Sequence, residues 1–271
     1  MHFLPVSRIL YIAALGVLAV PLSLCGQILI GPVAGPQVSW VSFENKDSRA
    51  LYNRMPFTGF HAGMGLSFRV HQRFFLNGAF LYSSKGKNFT GVEDDLLKVK
   101  TRYHYIDVPM AYTVEFVNKV GKTKQYKWYF GLGPHVSYWL GGKGTLQNTQ
   151  LSEILVNEIA YRVVFDQTFY ADNEMNVTDP NRVQLGLNLS AGFVFEPLGF
   201  QKIMVNLRYE VGHSYFSRNE EVGGTFNQTN EYVDDLRTRN QGFRLSLAYL
   251  VDLKTAERKK GKSTIKQKKM K

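Results

Sequence analysis

The sequence predicts an all-β protein: an eight-stranded, antiparallel, up-and-down transmembrane β-barrel with long outer loops and a disordered basic C-terminal tail. Three observations predict it. Apolar and polar residues alternate with period two over segments of roughly ten residues, as in strands with one apolar and one polar face. Short and long connections alternate strictly along the chain, as they do when tight turns close one end of a barrel and loops the other. Aromatic residues, 19 Phe, 15 Tyr and 3 Trp among 271 residues, gather at the strand ends, where interfacial girdles form.

The N-terminus reads as an export signal over residues 1–26. Met1–Arg8 carries one positive charge, Ile9 to Leu24 is uncharged and mostly apolar, and Cys25-Gly26-Gln27 follows as a small-residue cleavage site. Pro21 interrupts the apolar run, which is short for an anchor helix, and Leu24 stands where a lipoprotein needs a small residue before Cys25. The single cysteine excludes a disulfide framework and a cysteine-based zinc site. No later stretch reaches some 18 continuous apolar residues. An exported chain of this kind is therefore soluble outside the cytoplasm or crosses a membrane as a closed barrel.

The barrel is expected over residues 27–253. The cleanest strands are Gln184–Glu196, Lys202–Ser214 and Gly242–Leu253. In the second of these, Ile203, Val205, Leu207, Tyr209 and Val211 oppose Met204, Asn206, Arg208, Glu210 and Gly212. Ile28–Phe43, Phe57–Val70, Phe74–Ser84, Tyr103–Phe116 and Tyr126–Leu140 complete the eight. The connections at His71-Gln72, Val117–Gln125 and Pro197–Gln201 are the short set. Glu44–Pro56, Lys85–Arg102, Gly141–Val183 and Tyr215–Gln241 are the long outer set. This topology puts both termini on the periplasmic side. It places Phe57, Phe60, Tyr82, Tyr103, Tyr105, Tyr138, Trp139, Tyr215 and Phe243 on the outer rim, and Phe68, Phe74, Phe116, Tyr126, Trp128, Phe193, Phe195 and Tyr249 on the inner rim.

Eight strands leave an interior that side chains fill, so no open pore is expected. The inward candidates are His61, Arg69, Asp107, Glu115, His135, Glu196, Arg208, Glu210, Arg244 and Asp252. Both signs are present, and buried charges must be paired, which predicts an internal ion-pair plug with Arg208 and Glu210 among its partners.

Three stretches resemble the PorT-like outer-membrane β-barrel family: Tyr103-His104-Tyr105-Ile106-Asp107-Val108-Pro109-Met110, Phe80-Leu81-Tyr82-Ser83-Ser84-Lys85-Gly86 and Phe130-Gly131-Leu132-Gly133-Pro134. The resemblance spans roughly Gln27 to Leu253. It implies an eight-stranded barrel in the outer membrane, and the member that names the family belongs to the type IX protein-secretion machinery. The chain departs from the family in its long third outer loop and in its basic tail.

The net charge of +11 is mostly a property of that tail. Residues 254–271 hold Lys254, Arg258, Lys259, Lys260, Lys262, Lys266, Lys268, Lys269 and Lys271 against the single acid Glu257, a net of +8, which leaves +3 for the other 253 residues. A near-neutral body argues against a nucleic-acid binder. The tail's composition predicts disorder and a periplasmic tether for an acidic protein, peptidoglycan carboxylates or anionic headgroups.

Motifs of chemistry are missing: there is no GxSxG, HExxH or P-loop. His213-Ser214 resembles the base and nucleophile of a lipid hydrolase, but strand neighbours point to opposite faces. His61 and His135 have no evident third metal ligand and belong to the plug, and Asp94-Asp95 and Asp234-Asp235 read as solvated outer turns. No catalytic residue, cofactor, metal or small-molecule substrate is expected. The function expected is a non-enzymatic outer-membrane scaffold or accessory, in contact with outer-membrane lipid and connected with type IX secretion. The alternatives are an outer-membrane lipid-modifying enzyme and a soluble secreted ligand-binding barrel, which would turn its apolar face inward.

Overall fold

The computed structural model describes residues 27–253 apart from 46–48, 93, 95, 121–123, 154, 198–200, 219–222, 228 and 230–231. The expected signal peptide over 1–26 and basic tail over 254–271 lie outside the described residues. In chain order the elements are β1 (Ile28–Phe43), β2 (Tyr52–Met55), β3 (Phe57–His71), β4 (Phe74–Gly91), β5 (Lys98–Val120), β6 (Lys124–Gln147), a one-turn helix α1 (Thr149–Glu153), β7 (Ile159–Phe165), β8 (Glu174–Val177), β9 (Val183–Phe195), β10 (Gln201–Gly212), β11 (Gly224–Phe226) and β12 (Thr238–Asp252).

Among the described residues, eight of these strands close on themselves through antiparallel ladders. β1 pairs with β3, β3 with β4, β4 with β5 and β5 with β6. β6 pairs with β9, β9 with β10, β10 with β12, and β12 returns to β1. Closure leaves the barrel wall without a free edge. The strand phases follow the sequence alternation: odd residues of β1, β3, β5 and β6 and even residues of β9, β10 and β12 are buried.

The wall is apolar outside and polar inside. Phe80 and Leu187 are each 60% exposed and Leu247 is 59% exposed, while Asp107 is fully buried. A soluble barrel has the opposite arrangement, so the soluble ligand-binding alternative does not hold. On β3 the apolar outer face runs from Phe60 to Phe68. The eight residue steps between them span about 27 Å, or a little over 20 Å of height at a tilt near 40°, close to the apolar band of a bilayer.

Two expectations need correction. The rim at the end away from the termini does carry outward rings, Phe60, Tyr138 and Phe243 among them. But Tyr103, Tyr105 and Trp139 are fully buried and point inward, in phase with Asp107 and Ser137. Phe57 is buried as well: it covers Gly86, where an added Cβ would lie 2.7 Å from the Phe57 ring, and Arg102 lies over its face at 5.6 Å.

The second correction concerns the loops. β4, β5 and β6 do not stop at the rim. β5 has 23 residues and β6 has 24, where about 10 suffice to cross a membrane. Above the rim β6 leaves β9 and pairs with β7, and the change of partner falls at a bulge around Leu140 and Gly141. Gly141 has φ of +147°, a conformation that L side chains rarely adopt. β7 pairs in parallel with β8, and β11 adds to β8. Asn148 caps α1, its Oδ1 accepting from the Leu151 N–H at 2.9 Å. The result is a cap with its own apolar core, in which Phe43, Phe89, Leu146, Leu151, Met175 and Phe226 take part.

The charged interior as candidate functional site

The candidate site is built by inward residues of β4, β5, β6, β10 and β12, one residue along each strand from the rim residues Tyr82, Tyr138 and Phe243. Asp107 is its centre. It accepts hydrogen bonds from Ser83 and from Ser137 Oγ (2.5 Å), and Lys85 Nζ lies 3.1 Å from its Oδ1. The Arg244 guanidinium pairs with its other oxygen. Glu210 takes Arg244 at 2.9 Å and Lys85 at 3.6 Å, and His135 Nε2 stands 3.5 Å from Asp107 and 3.8 Å from Glu210. Two carboxylates thus share two cations, and each cation bridges both acids. Register explains how: Glu210 lies opposite Gly242, which leaves room for Arg244 two residues along β12 to reach across diagonally.

The remaining sequence candidates are distributed over three levels. His61 Nε2 meets Ser246 Oγ at 2.8 Å, beside the centre. Glu115 pairs with Lys202, whose Nζ lies 3.8 Å above the Phe75 ring, nearer the mouth that holds the termini. Asp252 accepts from Gln27 at 3.0 Å at that same mouth. Arg69 and Glu196 are not part of the interior network. Both are exposed and line the vestibule, Arg69 donating to the Gln72 carbonyl at 3.1 Å and Glu196 pairing with Lys127 at 2.7 Å. Their phase is inward, but they lie where the wall has already opened to water.

Arg208 is the other correction. It is buried and directly opposite Arg244 in the β10–β12 ladder. Glu210 is paired with Arg244, Lys85 and His135 rather than with Arg208, and among the described residues no acid lies within ion-pair distance of Arg208. Its Nε has no hydrogen-bond partner.

Sequence reasoning missed Lys85, Lys87, Lys202, Ser83 and Ser137. Lys202 shares the even phase of Met204 and Arg208. Lys85 and Lys87 continue the odd phase of Ser83 into what reads as loop. Lys87 pairs with buried Asp234, which also accepts from Tyr232 Oη at 2.9 Å. Asp234 is therefore part of the cap's interior rather than a solvated turn. Ser214 is structural: its Oγ accepts from the Leu185 N–H at 2.9 Å.

Three features limit what this centre can do chemically. Ser137, His135 and Asp107 are mutually close, yet Ser137 and Asp107 both approach the same nitrogen, His135 Nε2. A catalytic triad needs the acid on the opposite imidazole nitrogen. Asp107, His135 and Glu210 each offer a ligand atom within 4.8 Å of the others, but Lys85 and Arg244 already occupy both carboxylates, so a metal would have to displace them. The void against this cluster is only about 20 Å³, room for one or two waters. The cluster neutralises itself and fills the bore.

A closed barrel that is apolar outside and plugged by paired charges inside is an integral outer-membrane β-barrel. The chain belongs to the outer membrane protein beta-barrel domain family, whose model matches residues 23–214. Its place is the outer membrane. No curated protein matches it. Among solved structures it is similar to Ail, the attachment invasion locus protein of Yersinia pestis, in complex with the heparin analogue sucrose octasulfate. The identity is 13% and the TM-score 0.33, over 83% of this chain and 98% of that one. Neisserial surface protein A is similar at 10% identity and a TM-score of 0.34, over 83% of this chain and 96% of that one.

Proposed function

We propose that the protein is a closed, non-enzymatic outer-membrane scaffold that carries its cap on the cell surface and keeps both termini in the periplasm. The observation that carries this reading is the interior centred on Asp107, where two acids and two cations satisfy one another and leave room for only a water or two. A bore filled in this way offers no path for solutes and no cleft for a substrate, so function falls to the surfaces at the two ends. The resemblance of Tyr103–Met110 to PorT-like barrels supports a role as an accessory of type IX secretion. The basic tail supports a periplasmic contact with an acidic protein or with peptidoglycan.

Two measurements test this. In planar bilayers the purified barrel is expected to show no steady conductance; a reproducible open channel refutes the closed scaffold. Affinity purification from detergent-solubilised membranes is expected to bring down secretion components. Their absence, together with an unchanged set of secreted proteins in a deletion strain, removes the secretion role.

A further inference from the structure

The outward face of the β5–β6–β7 extension carries an arrangement that strand energetics disfavours. Arg102 is the direct cross-strand partner of Lys143, and Lys143 is the direct partner of Arg162. Three like charges therefore stand in one row across three strands, about 4.8 Å apart in the pairing direction. Like charges directly opposite one another destabilise a sheet. All three residues are exposed, and Lys100 and His104 lie on the same face of β5, two residues to either side of Arg102. Among the described residues one acid answers the row: Glu174, which holds Arg162 at 2.5 Å. Arg102, Lys143 and Lys100 have no acid within ion-pair distance among the described residues. Together these side chains border one concavity.

The height of the row points to its occupant. His104 stacks on Tyr82, with ring centroids 5.8 Å apart and the Tyr82 Oη 2.5 Å from its Nδ1. Tyr82 belongs to the rim where the apolar wall ends, the level at which aromatic side chains meet lipid headgroups. Arg102 is two residues beyond His104 and four beyond Ile106, the ladder partner of Tyr82, which sets it about 10 Å above that level at a tilt near 40°. A cationic row there faces the headgroup layer rather than the bulk solution above the cap.

We propose that Arg102, Lys143 and Arg162 form a binding site for the phosphate groups of an outer-leaflet glycolipid. The inference rests on the orientation proposed above, with the cap outside. Phosphate oxygens accept from guanidinium groups in pairs and from an ammonium as a point charge. A bridging phosphate removes the repulsion along the row, and Glu174 keeps Arg162 extended beside its neighbours.

The test titrates labelled bisphosphorylated lipid A into the full-chain protein in detergent micelles. R102Q/K143Q/R162Q is compared with a control that removes three cations at the opposite mouth, R69Q/R73Q/K127Q. A heat-modifiable gel shift confirms that both variants are folded. Each cation near an anionic surface contributes roughly a fivefold change in affinity, so the row variant is expected to lose on the order of a hundredfold, and the control little. Dephosphorylated lipid A is expected to bind the wild type weakly. Equal affinities of the two variants, or no dependence on the phosphates, overturn the site. Tighter binding of a soluble sulfated polysaccharide through the same three residues overturns the lipid as its occupant. The orientation is tested separately by F169C, since Phe169 is 91% exposed in the cap. An impermeant maleimide applied to intact cells is expected to label it. Absence of labelling refutes the orientation and with it an outer-leaflet occupant. Labelling with unchanged lipid A affinity in the row variant refutes the inference alone.

Discussion

Replacing Arg244 by Met tests the plug most directly. Arg244 is 2% exposed and bridges Asp107 and Glu210, the latter at 2.9 Å. Its removal leaves both carboxylates buried with Lys85 as their only full cation. Losing two charge-assisted contacts costs about 3–6 kcal/mol by hydrogen-bond bookkeeping, and breaking a buried pair from one side costs about 3–5 kcal/mol, so the two routes agree. E210Q alone is milder, about 1–3 kcal/mol, because Arg244 keeps Asp107. The double variant R244M/E210Q removes one charge of each sign and leaves Lys85 paired with Asp107. Its loss is expected to fall short of the sum of the single losses by about 2 kcal/mol. R208M separates this network from simple helplessness of a shrunken core: no acid loses a partner, so the cost is expected to be about 1 kcal/mol or less, mainly from packing of the side-chain stem. The assay is a urea titration of the detergent-folded barrel, read by the heat-modifiable gel shift and by tryptophan fluorescence. Additive losses in the cycle, or an R208M loss as large as that of R244M, refute the reasoning.

Further outcomes follow from other parts of the molecule. Leu207 is 51% exposed on the lipid face, and Leu207→Arg is expected to cost roughly 2–4 kcal/mol if the site lies near the bilayer midplane, whereas Asn206→Arg on the inner face costs less; equal urea midpoints for the two refute the assigned faces. In the cap, burial first and the Asp234 carboxylate second push the phenols of Tyr161 and Tyr232 above their ordinary value of about 10. The neutral phenol is the native form, so this contribution is complete below that value and lost as pH rises past it. Absorbance at 295 nm is expected to show a late tyrosinate phase coinciding with proteolytic opening of the cap, and full titration with the exposed tyrosines refutes it. Truncation after Leu253 is expected to leave the barrel folded and to weaken salt-sensitive retention on cell-wall material, because exposed charges are screened beyond about 8 Å at physiological ionic strength; identical retention at low and high salt removes the tether.

The phase of β3, β5, β6, β9, β10 and β12 was legible in the sequence, and so was the up-and-down order, because a barrel wall between lipid and a polar bore imposes period two on every residue that crosses it. Tyr103, Tyr105 and Trp139 were placed by their height on the wall, although their odd phase, shared with Asp107 and Ser137, already turned them inward. The cap was hidden for a different reason. Beyond the rim the outward face leaves the hydrocarbon, so Lys98, Lys100 and Arg102 replace the apolar residues that mark a strand below it, and the same alternation reads as a charged loop. The choice of Arg244 over Arg208 as the partner of Glu210 depends on cross-strand register. A single sequence fixes which face a residue occupies without fixing what lies opposite it.

The length of β5 and β6 has a mechanical consequence. The two strands run from the end of the barrel that holds the termini, through the wall and into the cap as one antiparallel pair, with Val120 paired to Lys124 at one end, Lys98 to Gln147 at the other and a single bulge at the rim. At about 3.4 Å per residue, that is nearly 80 Å of ladder. Tension applied to the cap therefore loads many parallel backbone hydrogen bonds in shear, with no flexible linker to absorb it. The cap is coupled to the barrel as a lever to its fulcrum: a force that tilts it is carried down the ladder to the mouth that holds the termini, where Lys202 pairs with Glu115.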